Sequence, residues 1–344
     1  MEYRPLGRTG VQVSKLCLGA MMFGEWGTKD HDESIKIIHR ALGAGINFID
    51  TADVYSHGES EVITGKAIAG RRDDIVLATK VHMPMGEDPN QRGNSRRWVI
   101  REAENSLRRL GTDWIDLYQV HRYDPATDLD ETLGALTDLI RAGKVRYAGH
   151  STWPVSAIVE AQWTARDRAR ERFTCEQPTY SILTRGIEND VLPTCARYGM
   201  GVLSYSPLAG GWLTGRYRTG ADAEGPFSAA RQALANRFDL SLPENQRKLE
   251  AAGQLAKLAS EARISLIEMA IAFVLRHPAI TSAIIGPRTM EHLESQLPAA
   301  GIDLPDDLLD RIDQTVAPGV TINPADNGWV SPALQPAARR RQPR

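Results

Sequence analysis

Four residues of complementary acid–base character punctuate the first half of the chain: Asp50 and Tyr55 in NFIDTADVY, Lys80 closing DIVLATK, and His121 closing WIDLYQVH. Together they make a proton-transfer set. A phenol with an ordinary pKa of ~10 is a poor donor at neutral pH, and an adjacent ammonium stabilises its phenolate and brings it toward the working range. Lys80 can be that cation. Asp50 can supply the carboxylate that keeps a lysine charged once it is drawn out of water. His121 can polarise a substrate oxygen or orient it against the tyrosine. Positioned proton transfer of this kind contributes ~10² to 10⁴ in rate. Singly, each residue has a structural reading as a loop cap, an interface aromatic, a surface lysine or a satisfied buried histidine. Convergence in space is what turns them into a device.

Convergence is a matter of the elements that carry them. Asp50, Lys80 and His121 each end a short apolar run of strand character, and Tyr55 lies in the polar loop beyond the first. Successive strand ends meet in the closed parallel (β/α)8 TIM barrel, whose active sites form at the C-terminal face. The remaining sequence keeps the alternation. KLCLGA reads as the first barrel strand, followed by a helix over 30–45 with Ile35, Ile38, Ala41 and Leu42 on one face. Further helices are predicted over 95–110, with Trp98, Val99, Ala103, Ser106, Leu107 and Leu110 inward, and over 129–142, 154–168, 186–198, 246–262 and 266–276. An extra C-terminal helix is predicted over 306–316. Tyr3 to Leu16, turning at GRTG, reads as a hairpin that caps the N-terminal end of the barrel. A long loop over 209–245, after the seventh strand, is expected to cross the barrel mouth. Strict alternation favours a right-handed parallel barrel, giving one domain over 1–316 and a C-terminal tail over 317–344.

An open doubly wound sheet is the competing architecture. It usually brings a GxGxxG turn when it binds a dinucleotide, and here Gly43 and Gly45 are followed by Ile, Asn and Phe. GESEVITGK is a poor Walker loop, since Ser60 stands at a glycine position and Ala67 replaces the Ser or Thr that would hold magnesium. The 344 residues, 42% apolar and 24% charged, describe an ordinary globular chain, and a formal net charge of −2 argues against nucleic acid. Arg339, Arg340, Arg341 and Arg344 form the basic cluster, at the extreme C-terminus, where a solvated tail is expected. Cys17, Cys175 and Cys195 lack metal or disulfide spacing, so no metal is expected and a reducing cytoplasm is the default. No apolar run suits a signal peptide or a membrane span. The oligomeric state is left open, a homo-oligomer included.

FIDTADVYS, GESE, ATK, the YQVH strand end, GHST, YSPLAGG and IIGPRTMEHLESQ, in this order, resemble the aldo-keto reductase family over roughly Tyr3 to Val316. YSPLAGGWLTGRY is close to the branch similar to voltage-gated potassium channel β-subunits. The resemblance implies an NADPH-dependent reduction of a carbonyl to an alcohol, with Asp50, Tyr55, Lys80 and His121 as the family's tetrad and Tyr55 as proton donor. It also implies cofactor contacts. Ser151 and Thr152 match a Ser-Asn pair that holds the carboxamide, with threonine in place of the commoner asparagine, and Gln177 matches the glutamine on its other side. Tyr205 matches the aromatic that stacks on nicotinamide. Ser206, Pro207, Leu208, Gly210 and Gly211 match the turn around the pyrophosphate, and Arg216 stands where that branch has a lysine. Ile285, Gly286 and Arg288 open the segment that would receive the adenosine 2′-phosphate, with His292 and Gln296 toward adenine. Gly19, Ala20 and Met21 end the first strand where relatives have a Gly-Thr-Trp-like turn, so backbone and packing are expected from them.

Trp26, His57, Met83, Trp153 and Trp212 are candidate walls of a substrate pocket and suggest an apolar or ring-bearing carbonyl compound. Arg122 and Asp124, in HRYD, either pair with each other or contact substrate. A nicotinamide-sensing regulatory subunit with little turnover is the alternative function. That branch commonly has asparagine in place of His121, which favours turnover here. A metal-dependent hydrolase on the same barrel would need several His or Asp ligands, and only Asp50 and His121 qualify.

Overall fold

The computed structural model describes residues 1–216, 234–334 and 338. The C-terminal arginine cluster and the middle of the long loop lie outside the described residues.

Eight parallel strands close into a barrel: β3 (Leu16–Gly19), β4 (Phe48–Asp50), β5 (Val76–Val81), β6 (Ile115–Val120), β7 (Val145–Ser151), β8 (Phe173–Gln177), β9 (Gly201–Ser204) and β10 (Ser282–Ile285). Pairing runs in sequence order from β3 to β9, and β10 seals the barrel between β9 and β3. Most strand residues are buried on both faces, which is why these segments read as continuous apolar runs and not as alternating ones. β1 (Tyr3–Pro5) and β2 (Gln12–Ser14) form the antiparallel hairpin expected at the N-terminus. Its Leu6 and Val13 are fully buried with Cys17, Phe48, Ala78, Leu117, Cys175, Leu203 and Ile284, so the hairpin plugs the apolar bottom of the barrel. Gly7 permits that plug: its φ is +59°, and a Cβ there would stand 2.6 Å from the Gly201 nitrogen.

The surrounding helices follow their sequence signals. α1 (His31–Gly43) is capped by Asp30, whose side chain accepts from the Asp32 and Glu33 amides, and α3 (Arg96–Leu110) is capped by Ser95 and stopped by left-handed Gly111. The inward face of α1 includes Ile37, while Ile35 is only partly buried. α2 (Glu59–Ile68), α4 (Leu129–Arg141) and α5 (Val155–Asp167) complete the first half. Two boundaries differ from expectation, and proline explains both. The helix expected over 186–198 is a single 3-10 turn at Gly186–Glu188 followed by α6 (Val191–Tyr198), because Pro193 has no amide to donate and fits only in a first turn. The helix expected over 246–262 begins earlier, because Pro243 occupies its first turn. The region read as loop therefore contains a 3-10 segment at Ala209–Thr214, a short helix α7 (Ala235–Phe238) and the start of α8 (Pro243–Glu261). α9 (Leu266–Arg276), with a full capping box at Ser265 and Glu268, α10 (Met290–Gln296) and α11 (Asp306–Thr315) finish the helical layer.

The segment after α11 returns across the molecule. Arg185 donates its amide to Val320 O at 3.0 Å, and Ile322 to Leu183 O at 3.1 Å. Asp326 is buried against Lys248 Nζ at 2.8 Å and Arg237 Nε at 2.7 Å. Among the described residues no helix is long and apolar enough to cross a membrane.

Candidate active site

β4, β5, β6 and β8 each send a polar side chain into the top of the barrel. Lys80 is fully buried on β5, beside Gln119 in strand register. Its Nζ donates to Asp50 Oδ1 at 2.5 Å, to Thr51 O at 2.8 Å and to the Tyr55 hydroxyl at 3.3 Å. The other Asp50 oxygen accepts from Gln119 Nε2 and Gln177 Nε2, both at 2.9 Å. Gly149 makes room for this layer, since a Cβ there would lie 2.5 Å from Cys175 Sγ and 3.3 Å from Gln119 Cγ. The His121 ring meets the Tyr55 ring edge-on at 5.8 Å. All four members of the expected tetrad thus meet in one volume.

Tyr55 is aimed by a tightly turned loop. Ser56, His57 and Gly58 all have positive φ, and Arg109 passes beneath Gly58, where a Cβ would stand 2.7 Å from Arg109 Cδ. Arg109 is held there by Glu61 and Glu102, each at 2.5 Å, two buried carboxylates whose pairing raises its affinity for its proton. The charge states are set by competition. Burial pulls the Lys80 ammonium down, but Asp50 and Tyr55 outweigh it and leave the pKa raised, so the lysine stays charged. Burial pushes the phenol of Tyr55 up, Lys80 pulls it down, and the net direction is upward. Lys80 lowers the phenol in the expected direction, and desolvation outweighs it. His121 is held well below its usual range, by burial first and then by Lys80 and Arg122, so its imidazole is neutral. Its buried Nδ1 has no hydrogen-bond partner among the described residues.

Ser151 and Thr152 follow at the end of β7. Ser151 Oγ donates to Gln177 O at 2.8 Å, and Thr152 Oγ1 lies 3.3 Å from the hydroxyl of half-buried Tyr205. Thr152 has φ +57°, a costly conformation for a β-branched residue, which persists only where surroundings impose it. Glu176 imposes it. One oxygen of this fully buried carboxylate accepts from the Thr152 and Trp153 amides at 2.8 and 3.3 Å, and the other pairs with His150 Nδ1.

The turn after β9 gathers Ser206, Pro207, Leu208, Gly210 and Gly211. Ser206, Ala209, Gly210 and Gly211 all have positive φ, and none of the described residues lies within 4 Å of where a Gly211 Cβ would be. Arg216, next to this turn in sequence, reaches His292 Nε2 on α10 at 3.0 Å, and Arg288 joins Arg216 in lowering the pKa of that histidine, after burial. Ile285 ends β10, Gly286 is open to solvent, and Gln296 is buried at the end of α10. Gly19 packs against Ile284. Ala20 is buried with its carbonyl taken by Ser60 Oγ at 2.7 Å, and Met21 is exposed.

The candidate pocket walls divide. Trp26 is exposed at the mouth with its ring 6.1 Å from both Tyr55 and His57, and Met83 is half-buried beyond β5. Trp153 and Trp212 do not form open walls, and this corrects the expectation. Trp153 is 3% exposed, stacked on His150 at 4.8 Å and edge-on to Phe173 and Tyr123. Trp212 is 1% exposed, stacked parallel to Phe238 with Lys248 over its ring at 4.7 Å. Loop position alone did not reveal that packing.

Four residues at the site were not singled out from the sequence. Gln119 sits two residues before His121, and period-two alternation would have sent both inward. Glu176 precedes Gln177. His82 follows Val81 and binds Asn94 Oδ1 through Nδ1 at 2.9 Å. Gly328 had no local signal: a Cβ on it would stand 2.6 Å from the Tyr205 hydroxyl, so the C-terminal segment borders the site.

The sequence profile of the aldo/keto reductase family matches residues 15–317. The chain is 40% identical over 331 residues to "Uncharacterized oxidoreductase YrpG" of Bacillus subtilis, covering 93% of this chain and 97% of that protein. It is 35% identical over 328 residues to "Probable voltage-gated potassium channel subunit beta" of Arabidopsis thaliana, covering 92% and 97%. It is 35% identical over 300 residues to "Aldo-keto reductase YhdN" of B. subtilis, covering 86% and 87%. A closed parallel barrel carrying an Asp–Lys–Tyr–His cluster at its C-terminal mouth, together with these matches over most of its length, shows that the chain belongs to the aldo/keto reductase family.

Proposed function

We propose that the protein reduces an aldehyde or ketone to an alcohol with NADPH, Tyr55 giving the proton to the carbonyl oxygen. The observation that carries this reading is the hydrogen-bonded series Tyr55–Lys80–Asp50, at 3.3 and 2.5 Å, in a site that keeps the lysine charged and the phenol protonated. When bound, NADPH supplies hydride to the carbonyl carbon. The chain's own residues do the rest. As the oxygen gains charge, Tyr55 transfers its proton, and the ammonium of Lys80 stabilises the phenolate left behind. Gln119 and Gln177 hold Asp50, which fixes Lys80. His121 is neutral, and with no acceptor near Nδ1 among the described residues its single proton belongs on Nε2, where it can donate to the substrate oxygen.

The residues present suit this cofactor. Ser151 and Gln177 Oε1 offer acceptors to a carboxamide, and Tyr205 offers a ring face. The left-handed turn at Ser206–Gly211, where no described residue lies within 4 Å of a Gly211 Cβ, suits the close approach of a pyrophosphate. Arg216 and Arg288 gather positive charge for a 2′-phosphate beside a His292 kept neutral, which favours NADPH over NADH. Three buried free cysteines agree with a cytoplasmic protein.

The test is NADPH oxidation with a simple aldehyde. Tyr55→Phe is expected to lower turnover by ~10² to 10⁴ with cofactor affinity retained, and loss of both together would make Tyr55 structural. Arg288→Ala is expected to weaken NADPH far more than NADH. The second reading, a nicotinamide-sensing subunit, rests on the similarity to a protein named as a potassium channel subunit beta. It predicts a single slow oxidation of bound NADPH without sustained turnover.

A further inference from the structure

The HRYD segment left two roles open for Arg122, and its contacts favour one of them. Asp124 does not pair with it: one Asp124 oxygen accepts from the Ala126 amide at 3.0 Å and the other from Thr127 Oγ1 at 2.6 Å, closing a turn. Arg122 Nη1 donates to His121 O at 2.8 Å and approaches Thr152 Oγ1 at 3.3 Å and Ser151 Oγ at 3.5 Å. The guanidinium is thus pinned by one nitrogen to the shelf between β6 and β7. Among the described residues it forms no ion pair, and its Nε and Nη2 make no hydrogen bond. It is half-buried, close enough to Tyr55 and His121 to act on the titration of both.

The other charges around it do not neutralise it. Lys80 is matched by Asp50, while His121 and His82 are both held neutral by burial. Arg92 adds positive charge near His82, and Asp124 contributes a negative charge already committed to its turn. The Nε–Nη2 edge of this half-buried guanidinium faces the site without a protein partner among the described residues, and that planar fork matches a carboxylate bidentately. Resting on the reductase reading above, we propose that Arg122 is a specificity-determining residue that selects carbonyl substrates carrying a carboxylate, holding that group while the carbonyl oxygen faces Tyr55 and His121.

The test compares 3- and 4-carboxybenzaldehyde with their methyl esters, which carry the same skeleton without the charge. The wild-type protein is expected to prefer the acids, and the preference to shrink as sodium chloride screens the pair. Arg122→Met should lower the acid-to-ester ratio of kcat/KM by about ten- to hundred-fold, with Arg122→Lys recovering part of it. An unchanged ratio in Arg122→Met overturns the proposal, as does an equal loss on acid and ester with weakened NADPH binding, which would assign Arg122 to the cofactor shelf. Failure to reduce either ester or acid sinks the reductase reading instead. Calorimetric binding of 4-carboxybenzyl alcohol and its methyl ester to the NADP+ complex then reads the same preference without turnover, and equal affinities there reject the proposal.

Discussion

At the bottom of the barrel Leu6, Val13, Phe48, Leu117, Leu203 and Ile284 meet in a closed apolar cluster under the N-terminal hairpin, whereas at the top Asp50, Lys80, Gln119 and Gln177 fill the same cross-section with charge and amides. The strands are continuous between the two layers, so the backbone is nearly constant and side-chain chemistry is the variable. Burying the lower residues stabilises the fold by about 1.5–3 kcal/mol each. Burying Lys80 and Asp50 has a desolvation cost that their mutual attraction only balances when geometry and hydrogen bonds are complete. The lower layer serves stability and the upper one is kept for its chemistry.

Breaking the upper layer should give the largest effect. Lys80→Met leaves Asp50 buried without its cation and is expected to cost about 3–5 kcal/mol in urea unfolding, besides a loss of turnover like that of Tyr55→Phe. If stability is unchanged, the pair is not the keystone its geometry suggests. Leu117→Ala, one level down, should cost about 2–5 kcal/mol in the same experiment while the folded protein keeps its kcat, because the cavity lies below the chemistry. A matching fall in kcat would show the layers to be coupled.

Glu176→Ala removes the carboxylate that holds Thr152 in its left-handed conformation. An unmade buried hydrogen bond costs about 1–3 kcal/mol, so cofactor affinity should fall roughly ten-fold with a smaller change in kcat. Fluorescence titration separates the two. The pH dependence sharpens the same contrast. The phenol of Tyr55 lies above its ordinary 10.0 and His121 well below 6.5, so reduction should stay level through neutrality and decline only above pH 10. An inflection near 6.5 would mean that His121 titrates normally. Stability has the opposite limb: the unfolded chain protonates His121 below pH 6.5 while the fold excludes the proton, so the contribution from this group is present above 6.5 and lost as pH falls toward its depressed folded value. The smallest effect is a control on strain. Arg263 also has a left-handed φ, +59°, but stands exposed after α8, and Arg263→Gly should stabilise the protein by about 0.5–1 kcal/mol with kinetics unchanged.

Much of this was legible because barrel strands and helices announce themselves by local pattern. Asp50, Lys80 and His121 stood at strand ends, and one fold brings such ends together. Glu61 and Glu176 were not legible: their carboxylates are buried by partners far along the chain, Arg109 for one, the Thr152 amide for the other. The same holds for Trp153 and Trp212, whose loop positions suggested open walls until packing against Phe173 and Phe238 placed them inside.

Residue order alone pointed to the closed barrel, its capping hairpin and which acid–base side chains would meet at its mouth, since periodicity and strand-end placement are local properties that survive without coordinates. Only the tertiary structure decided the charge states, the strain at Thr152, the Arg122 fork left without a partner among the described residues and the return of the C-terminal segment to Tyr205. Those depend on what is excluded from water and on which distant groups come within a few ångströms, and neither is written in the neighbourhood of any one residue.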